Sequence, residues 1–336
     1  MRNKETIEKI LSRFPTLRIA VIGDYFLDRY WDIDPVLDES SIETGLTAQQ
    51  VVRCRYAPGA AGTVVNNLAA LGVGKIFAAG FTGNDGEGYV LRKKLGNIGV
   101  NQQFLLETPH RQTPCYTKPL RNGIEGNRFD IKNRTKTPPD VEERIAESLR
   151  LLAGRVDAIM IMDQVSEEDS GVITDSVRNE LICLGSKADS PLIYADSRER
   201  IGLFRNILVK CNDKELLNVF GKIPSGNITI DELKGYGVKL SEKTKKTVFV
   251  TLGANGQLVV NADETVHVPA VPVSGEIDIC GAGDSASAGI VASLCSGAGP
   301  AEAAYIGNVI ASITIRQLGC TGTATPEEVL KCAVDC

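Results

Sequence analysis

From residue 17 onward, short runs rich in Val and Ile alternate with longer stretches of helical period, and few folds accommodate that alternation. A strand that is apolar at every position must be covered on both faces, and a parallel sheet with helical crossovers covers it. The strand candidates are 17–23, 75–81, 157–162, 191–195, 206–210 and 247–252. Helical period fits 60–71, 86–97, 139–153, 167–184, 212–220, 229–236, 281–297, 300–318 and 325–333. The class is α/β with a mostly parallel central sheet between two helical layers, read as one unit over residues 1–336.

Two stretches, 28–58 and 112–133, break the alternation. Their Thr, Val, Tyr and Arg content at 47–56, 114–120 and 127–131 suits exposed antiparallel strands. They are expected to form a separate small sheet over one end of the main one. Ligands of open α/β sheets bind outside the carboxyl ends of the strands, so that small sheet can serve as a lid.

Charge and cysteine content exclude several classes. Lys and Arg number 37 against 42 Asp and Glu, a net charge of −5, which offers no basic face to phosphates of a nucleic acid. No apolar run of membrane-spanning length occurs, and the charged N-terminus lacks the apolar core of a signal peptide. Ile7, Ile10, Leu11 and Phe14 instead predict a short docking helix. Nine cysteines without a C-x-x-C pair read as reduced thiols of a cytoplasmic protein.

The segment from Asp278 to Gly289, Asp-Ile-Cys-Gly-Ala-Gly-Asp-Ser-Ala-Ser-Ala-Gly, carries the strongest chemical signal. Small residues at Gly281, Ala282 and Gly283 leave amides uncovered at a helix N-terminus, where unpaired donors and the helix dipole favour an anion. Asp284 beside that anion hole can take a proton from a hydroxyl attacking a phosphoryl group. A plain capped helix is the alternative. A second Gly-rich turn, Pro58 to Gly72, also feeds a helix. Asn212 and Glu215 lie one helical turn apart, and Thr251, Gly253 and Gly256 follow a strand. Taken singly, each of these suits a structural role.

In this order and spacing, the features resemble the ribokinase or PfkB family of carbohydrate kinases over residues 17–330. The run from Val21 to Trp31, with Leu27-Asp28-Arg29-Tyr30-Trp31, is most similar to the heptose 7-phosphate kinase modules of ADP-heptose synthesis. The resemblance implies a ribokinase-like fold, ATP and Mg2+ as cofactors, and Asp284 as the base over an anion hole at 281–283. It implies that Asn212 and Glu215 position magnesium through water. Thr251, Gly253 and Gly256 would meet the nucleotide, with Asn308 flanking adenine. On the sugar side it implies Asp24 as hydroxyl acceptor, with Asp28, Gly59, Ala60, Thr63 and Asn67 around it. Asp278, Cys280, Gly319 and Thr323 resemble a potassium site.

The family's Gly-Gly-x-x-Asn is here Gly59-Ala60-Ala61-Gly62-Thr63, and the heptose kinases' Asp-Tyr-x-Lys-Gly is Asp163-Gln-Val-Ser-Glu. The cluster Arg121, Arg128, Lys132 and Arg134 is either a solvated lid edge or a site for a phosphate already on the substrate, with Arg29 a further candidate. His110 and His267 stand isolated, and Cys280 reads as a small filler. A kinase for a sugar or sugar phosphate is the expectation, and a non-catalytic sugar or nucleotide sensor on the same scaffold is the competing class. Whether the lid pairs two subunits stays open at this level.

Overall fold

Strands of Val, Ile and Ala that are buried on both faces dictate a covered sheet, and Ile19, Ala20, Val21 and Ile22 are each fully buried in the first of them. The computed structural model describes residues 4–222 and 228–335; the first three residues and Cys336 lie outside the described residues. Helix α1 (Lys4–Leu11) docks through Ile7, Ile10 and Leu11, and β1 (Arg18–Gly23) follows. The chain then leaves the main sheet for β2 (Tyr25–Ile33), the short pair β3 (Glu39–Ser40) and β4 (Thr47–Ala48), and β5 (Val51–Ala60). It re-enters through α2 (Ala61–Ala70), β6 (Lys75–Gly83), α3 (Gly86–Asn97) and β7 (Asn101–Thr108). A second excursion makes β8 (Cys115–Arg121), β9 (Ile124–Glu125) and β10 (Phe129–Ile131).

The remainder winds regularly: α4 (Pro139–Ala153), β11 (Ala158–Asp163), α5 (Asp175–Gly185), β12 (Leu192–Ser197) and β13 (Leu208–Asn212). Then come α6 (Asp213–Val219), α7 (Ile230–Thr244), β14 (Val248–Thr251), β15 (Gln257–Val260) and β16 (Thr265–Val268), and the helices α8 (Ala282–Cys295), α9 (Pro300–Thr314) and α10 (Pro326–Asp335). The nine-stranded sheet runs in the order β16-β15-β14-β13-β12-β11-β1-β6-β7. It is parallel from β7 to β14, and β15 and β16 close one edge as an antiparallel hairpin. One apolar layer includes α1, α2, α8, α9 and α10, and the other includes α4 to α7.

The lid sheet has the order β10-β8-β2-β5. It was expected to be antiparallel, yet β2 and β8 pair in parallel, because they belong to separate insertions that leave the main sheet in the same direction. The helix expected at 167–184 starts only at Asp175, since residues 164–172 wrap around the Asp24 carboxylate. Strands β7, β15 and β16 went unread: β7 opens on Asn-Gln-Gln, and the other two have four residues each.

Ala60, between β5 and α2, adopts φ 52° and ψ −118°, a conformation that glycine takes freely and a side chain resists. Ala60→Gly is therefore expected to stabilise the fold by about 1 kcal/mol, the released strain exceeding glycine's extra unfolded-state entropy. Urea denaturation reads it as a higher midpoint at an unchanged slope. A lower midpoint would show that the turn carries no strain.

Candidate active site

At the start of α8, Gly281 has φ 79° and the helix begins at Ala282. The Ala282 amide, expected to face an anion, instead donates to the Ile279 carbonyl at 3.2 Å, because the turn closes on itself. Among the described residues, the N–H groups of Gly281, Gly283 and Asp284 have no protein acceptor, so these three are the donors left free at the helix start. A methyl group on Gly283 would lie 2.9 Å from Lys210 Nζ, so only glycine lets that ammonium approach the helix start.

Lys210 sits between the apolar Val209 and Cys211 of β13, and its Nζ donates to Asp196 Oδ2 of the neighbouring β12 at 2.7 Å. Burial opposes its charge, but Asp196 and Glu215 more than offset this and hold it protonated. Asp284 shares the cluster: burial first, then the Asp196 carboxylate, push it up to about 7, against the pull of Lys210 and Arg198. Asp28 of the lid lies close enough to add to that rise. Neither Lys210 nor Asp196 was picked out in the sequence. The available signal was a lysine inside a buried strand, which demands a partner.

Asn212 and Glu215 form a reciprocal capping box: Asn212 Oδ1 accepts the Glu215 N–H and Glu215 Oε2 accepts the Asn212 N–H, each at 2.8 Å. The second Glu215 oxygen has no partner among the described residues. Burial, then Asp196, raises the Glu215 pKa. Thr251 Oγ1 donates to the Cys211 carbonyl, Gly253 opens a single 3-10 turn, and Gly256 is glycine because a Cβ would meet the Val268 carbonyl at 2.1 Å.

Three expected ligand contacts take other roles. The Asp24 carboxylate accepts the amides of Gln164 and Val165 on Oδ2 and of Val172 on Oδ1, so most of its acceptor capacity clamps β1 to the loop after β11. Asn308 donates to the Val268 and Pro269 carbonyls and accepts from Gln257 Nε2 at 2.7 Å, so it fixes α9 to the hairpin edge and has no amide left for adenine. Arg29 pairs with Glu87 of α3 and stacks near Trp31 and Tyr56. Strand alternation explains it: Asp28 and Tyr30 share one lid face, and Arg29 points to the other.

Asp28, partly buried under the lid, has no hydrogen-bond partner among the described residues. Burial raises its pKa, while Lys118 and Arg128 pull it down. Gly59 opposes Phe26 in the lid and makes room for Asp28, whose Oδ2 lies 2.7 Å from where a Cβ would stand. Thr63 Oγ1 donates to the Pro58 carbonyl at 3.3 Å and Asn67 Nδ2 donates one N–H to the Thr63 carbonyl, while the buried Asn67 Oδ1 has no hydrogen-bond partner among the described residues. Arg128 faces the site but is held bidentately by Asp130, at 2.6 and 2.9 Å. The Asp278 carboxylate accepts the N–H groups of Cys280 and Gly319, tying the anion loop to the loop that ends at Thr323, whose carbonyl accepts from Gln317.

A parallel sheet covered on both faces, with free helix-start amides and a buried carboxylate at the carboxyl edge, defines a phosphoryl-transfer scaffold. The pfkB family carbohydrate kinase model matches residues 18–328, so the chain belongs to that family of phosphotransferases acting on sugar hydroxyls. The chain is 28% identical over 331 residues to the bifunctional protein HldE of Geobacter sulfurreducens, covering 97% of this chain and 65% of that protein. It is 29% identical over 336 residues to HldE of Syntrophotalea carbinolica, with the same coverage. It thus spans about two-thirds of the length of these relatives. Arabidopsis thaliana ribokinase complexed with ribose and ATP superposes with TM-score 0.70 at 18% identity, over 94% of this chain and 98% of that one. Escherichia coli phosphofructokinase-2 in complex with potassium gives 0.74 at 19% identity, over 95% and 99%. Among the described residues no helix is long and apolar enough to cross a membrane.

The raised Asp284 pKa has a stability consequence. The native state holds this proton to about pH 7 and the unfolded chain releases it near the ordinary carboxylate value of 3.8, so stability falls as pH rises between them. Asp284→Asn is expected to melt higher than the wild type at pH 8, with the difference closing toward pH 4. Calorimetric melts at both pH values check it, and a difference independent of pH would contradict it.

Proposed function

We propose that this chain transfers the γ-phosphoryl group of ATP to a hydroxyl of a sugar phosphate, of the kind represented by heptose 7-phosphate, with Asp284 as the base. The observation that carries the reading is Asp284 held near neutrality beside three unpartnered amides and the buried Lys210. In this reading the acceptor hydroxyl lies between Asp28 and Asp284 and gives its proton to Asp284 as its oxygen attacks the γ-phosphorus. ADP leaves on the opposite side, and the amides of Gly281, Gly283 and Asp284, with Lys210, stabilise the transferring oxygens. The turn at Gly253 to Gly256 and the end of β14 at Thr251 line the path for the nucleotide.

Magnesium, when bound with the nucleotide, neutralises charge on the phosphates. The free oxygen of Glu215, with Asp196 beside it, gives hard oxygen donors that suit its water shell, so the residues present fit the ion. A potassium ion near Gly319 and Thr323 would rest on main-chain carbonyls, with each oxygen of Asp278 already accepting one backbone N–H. The HldE likeness supports a heptose phosphate substrate. The proposal covers one kinase unit over residues 1–336 in a cytoplasmic setting. Exposed Ile42, Leu46, Val52 and Phe129 on the two lid insertions suit pairing with a second copy of the chain.

Asp284→Asn is expected to cut turnover by roughly 100- to 10,000-fold while ATP affinity stays within about twofold, and wild-type kcat should rise with pH through about 7. An ADP-release assay across sugars and sugar phosphates reads both; wild-type turnover in a folded variant would remove Asp284 from the mechanism. Glu215→Gln is expected to raise the magnesium concentration needed for half-maximal rate more than the KM of the sugar. An unchanged magnesium requirement would leave Glu215 as a helix cap alone.

A further inference from the structure

Resting on the kinase reading, the second question is where the phosphate already carried by the substrate would be held. The arginines that surround the lid are largely committed to carboxylates. Arg29 pairs with Glu87, Arg55 with Asp32, Arg121 with Asp38, Arg128 with Asp130, Arg134 with Glu167 and Arg200 with Asp163. A phosphate would have to break one of these pairs to use them. Outside these pairs, Arg53 is exposed and Lys118 lies over the Tyr30 ring. Lys132, just beyond β10, and Arg198, just beyond β12, are likewise without a carboxylate partner among the described residues. Both line one pocket beneath the lid, with Tyr116, Gln164 and Ser166 on its walls and Asp24 at its base.

The pocket adjoins the reacting centre. Tyr116 of β8 is the register partner of Asp28 on β2, so the two side chains leave neighbouring strands, about 4.8 Å apart, on the same face. Lys132 Nζ lies 5.9 Å from the centre of that ring. Arg198 lines this pocket, and its charge acts on Tyr116, Glu215 and Asp284. The acids of the pocket do not repel an anion strongly: Glu167 is paired with Arg134, and the oxygens of Asp24 accept three amides.

We infer that this pocket takes the phosphate of a sugar monophosphate, with Lys132 and Arg198 as its charge partners and the acceptor hydroxyl at the Asp28 end. The substrate class is then a sugar phosphorylated at a carbon remote from the acceptor, long enough to reach past Tyr116. Two cations offer a dianionic phosphate charge-assisted hydrogen bonds, and a free sugar offers them nothing. The discrimination therefore lies in substrate affinity, not in the chemical step.

The test uses the full chain and the variants Lys132→Met, Arg198→Met and Lys132→Arg. ADP release is measured with heptose 7-phosphate, fructose 6-phosphate and the matching free sugars. Calorimetric titration of each sugar phosphate, without nucleotide, gives its affinity independently of catalysis. Each Met variant is expected to weaken sugar phosphate binding and raise its KM by roughly 10- to 100-fold. Lys132→Met should leave kcat, the KM for ATP and the free sugars nearly unchanged. Arg198→Met should also move the pH dependence of kcat upward with every sugar, because the Arg198 charge acts on Asp284. Lys132→Arg should restore most of the affinity. Unchanged sugar phosphate affinity in both Met variants overturns the inference, as does an Arg198→Met effect confined to ATP. A protein that phosphorylates only free sugars, with affinities indifferent to both substitutions, keeps the kinase reading and loses this pocket. One that binds sugar phosphates through the two cations but releases no ADP does the reverse.

Discussion

A strand that pairs in parallel with its neighbour must return through a crossover, so all the carboxyl ends of such strands collect along one edge of the sheet. From β7 across to β14 this chain obeys that constraint, and the edge gathers Asp24, Asp163, Arg198, Asn212 and Thr251 at the ends of successive strands. The insertions that make the lid leave the sheet from the same edge, after β1 and after β7, so the lid can only close over those residues. Helix α8 adds its N-terminus to the edge through its packing on α2 and α9.

Concentrating acids at one edge carries an electrostatic cost. Asp24 is pushed up to about 6 by burial and Asp163, Asp284 to about 7 by burial and Asp196, and Glu215 is raised by the same two causes. Lys210 is the counterweight, buried with the acids and 2.7 Å from Asp196. Removing either partner of a buried pair leaves an uncompensated charge, so this pair is held in place by the cluster around it. The same crowding that costs stability places a carboxyl group near neutrality beside the free amides of the helix start, where a proton acceptor is useful.

The lid sorts its chemistry by strand alternation. One face of β2, β5 and β8 carries Asp28, Tyr30, Arg55, Tyr116 and Lys118, and the other carries Arg29, Trp31, Cys54, Tyr56 and Thr117. A change of one residue in register would exchange the two sets. Arg55 and Lys118 both stack on Tyr30, at 4.9 and 5.1 Å, which stiffens the inner face around Asp28. Arg29 on the outer face anchors the lid to α3 instead.

The sequence by itself determined the layered α/β architecture, the two lid insertions and the small-residue helix start before Asp284, because each rests on local information. Continuous apolar runs, helical period, and small residues before Asp284 are visible within a dozen positions. Short edge strands such as β15 and β16, four residues each, carry too little periodicity to read. Only the tertiary structure decided which polar groups are free. Asp24, Asn308, Arg29 and Arg128 look like ligand contacts in one dimension, yet each has partners on the page of the fold, from the amide of Gln164 to the carboxylate of Glu87. Conversely, Lys210 and Arg198 carry no local motif, and their place at the site comes from parallel strands that bring residues distant in sequence to one edge. Pairing across the sheet is a long-range property, and that is why it could not be read from neighbouring residues.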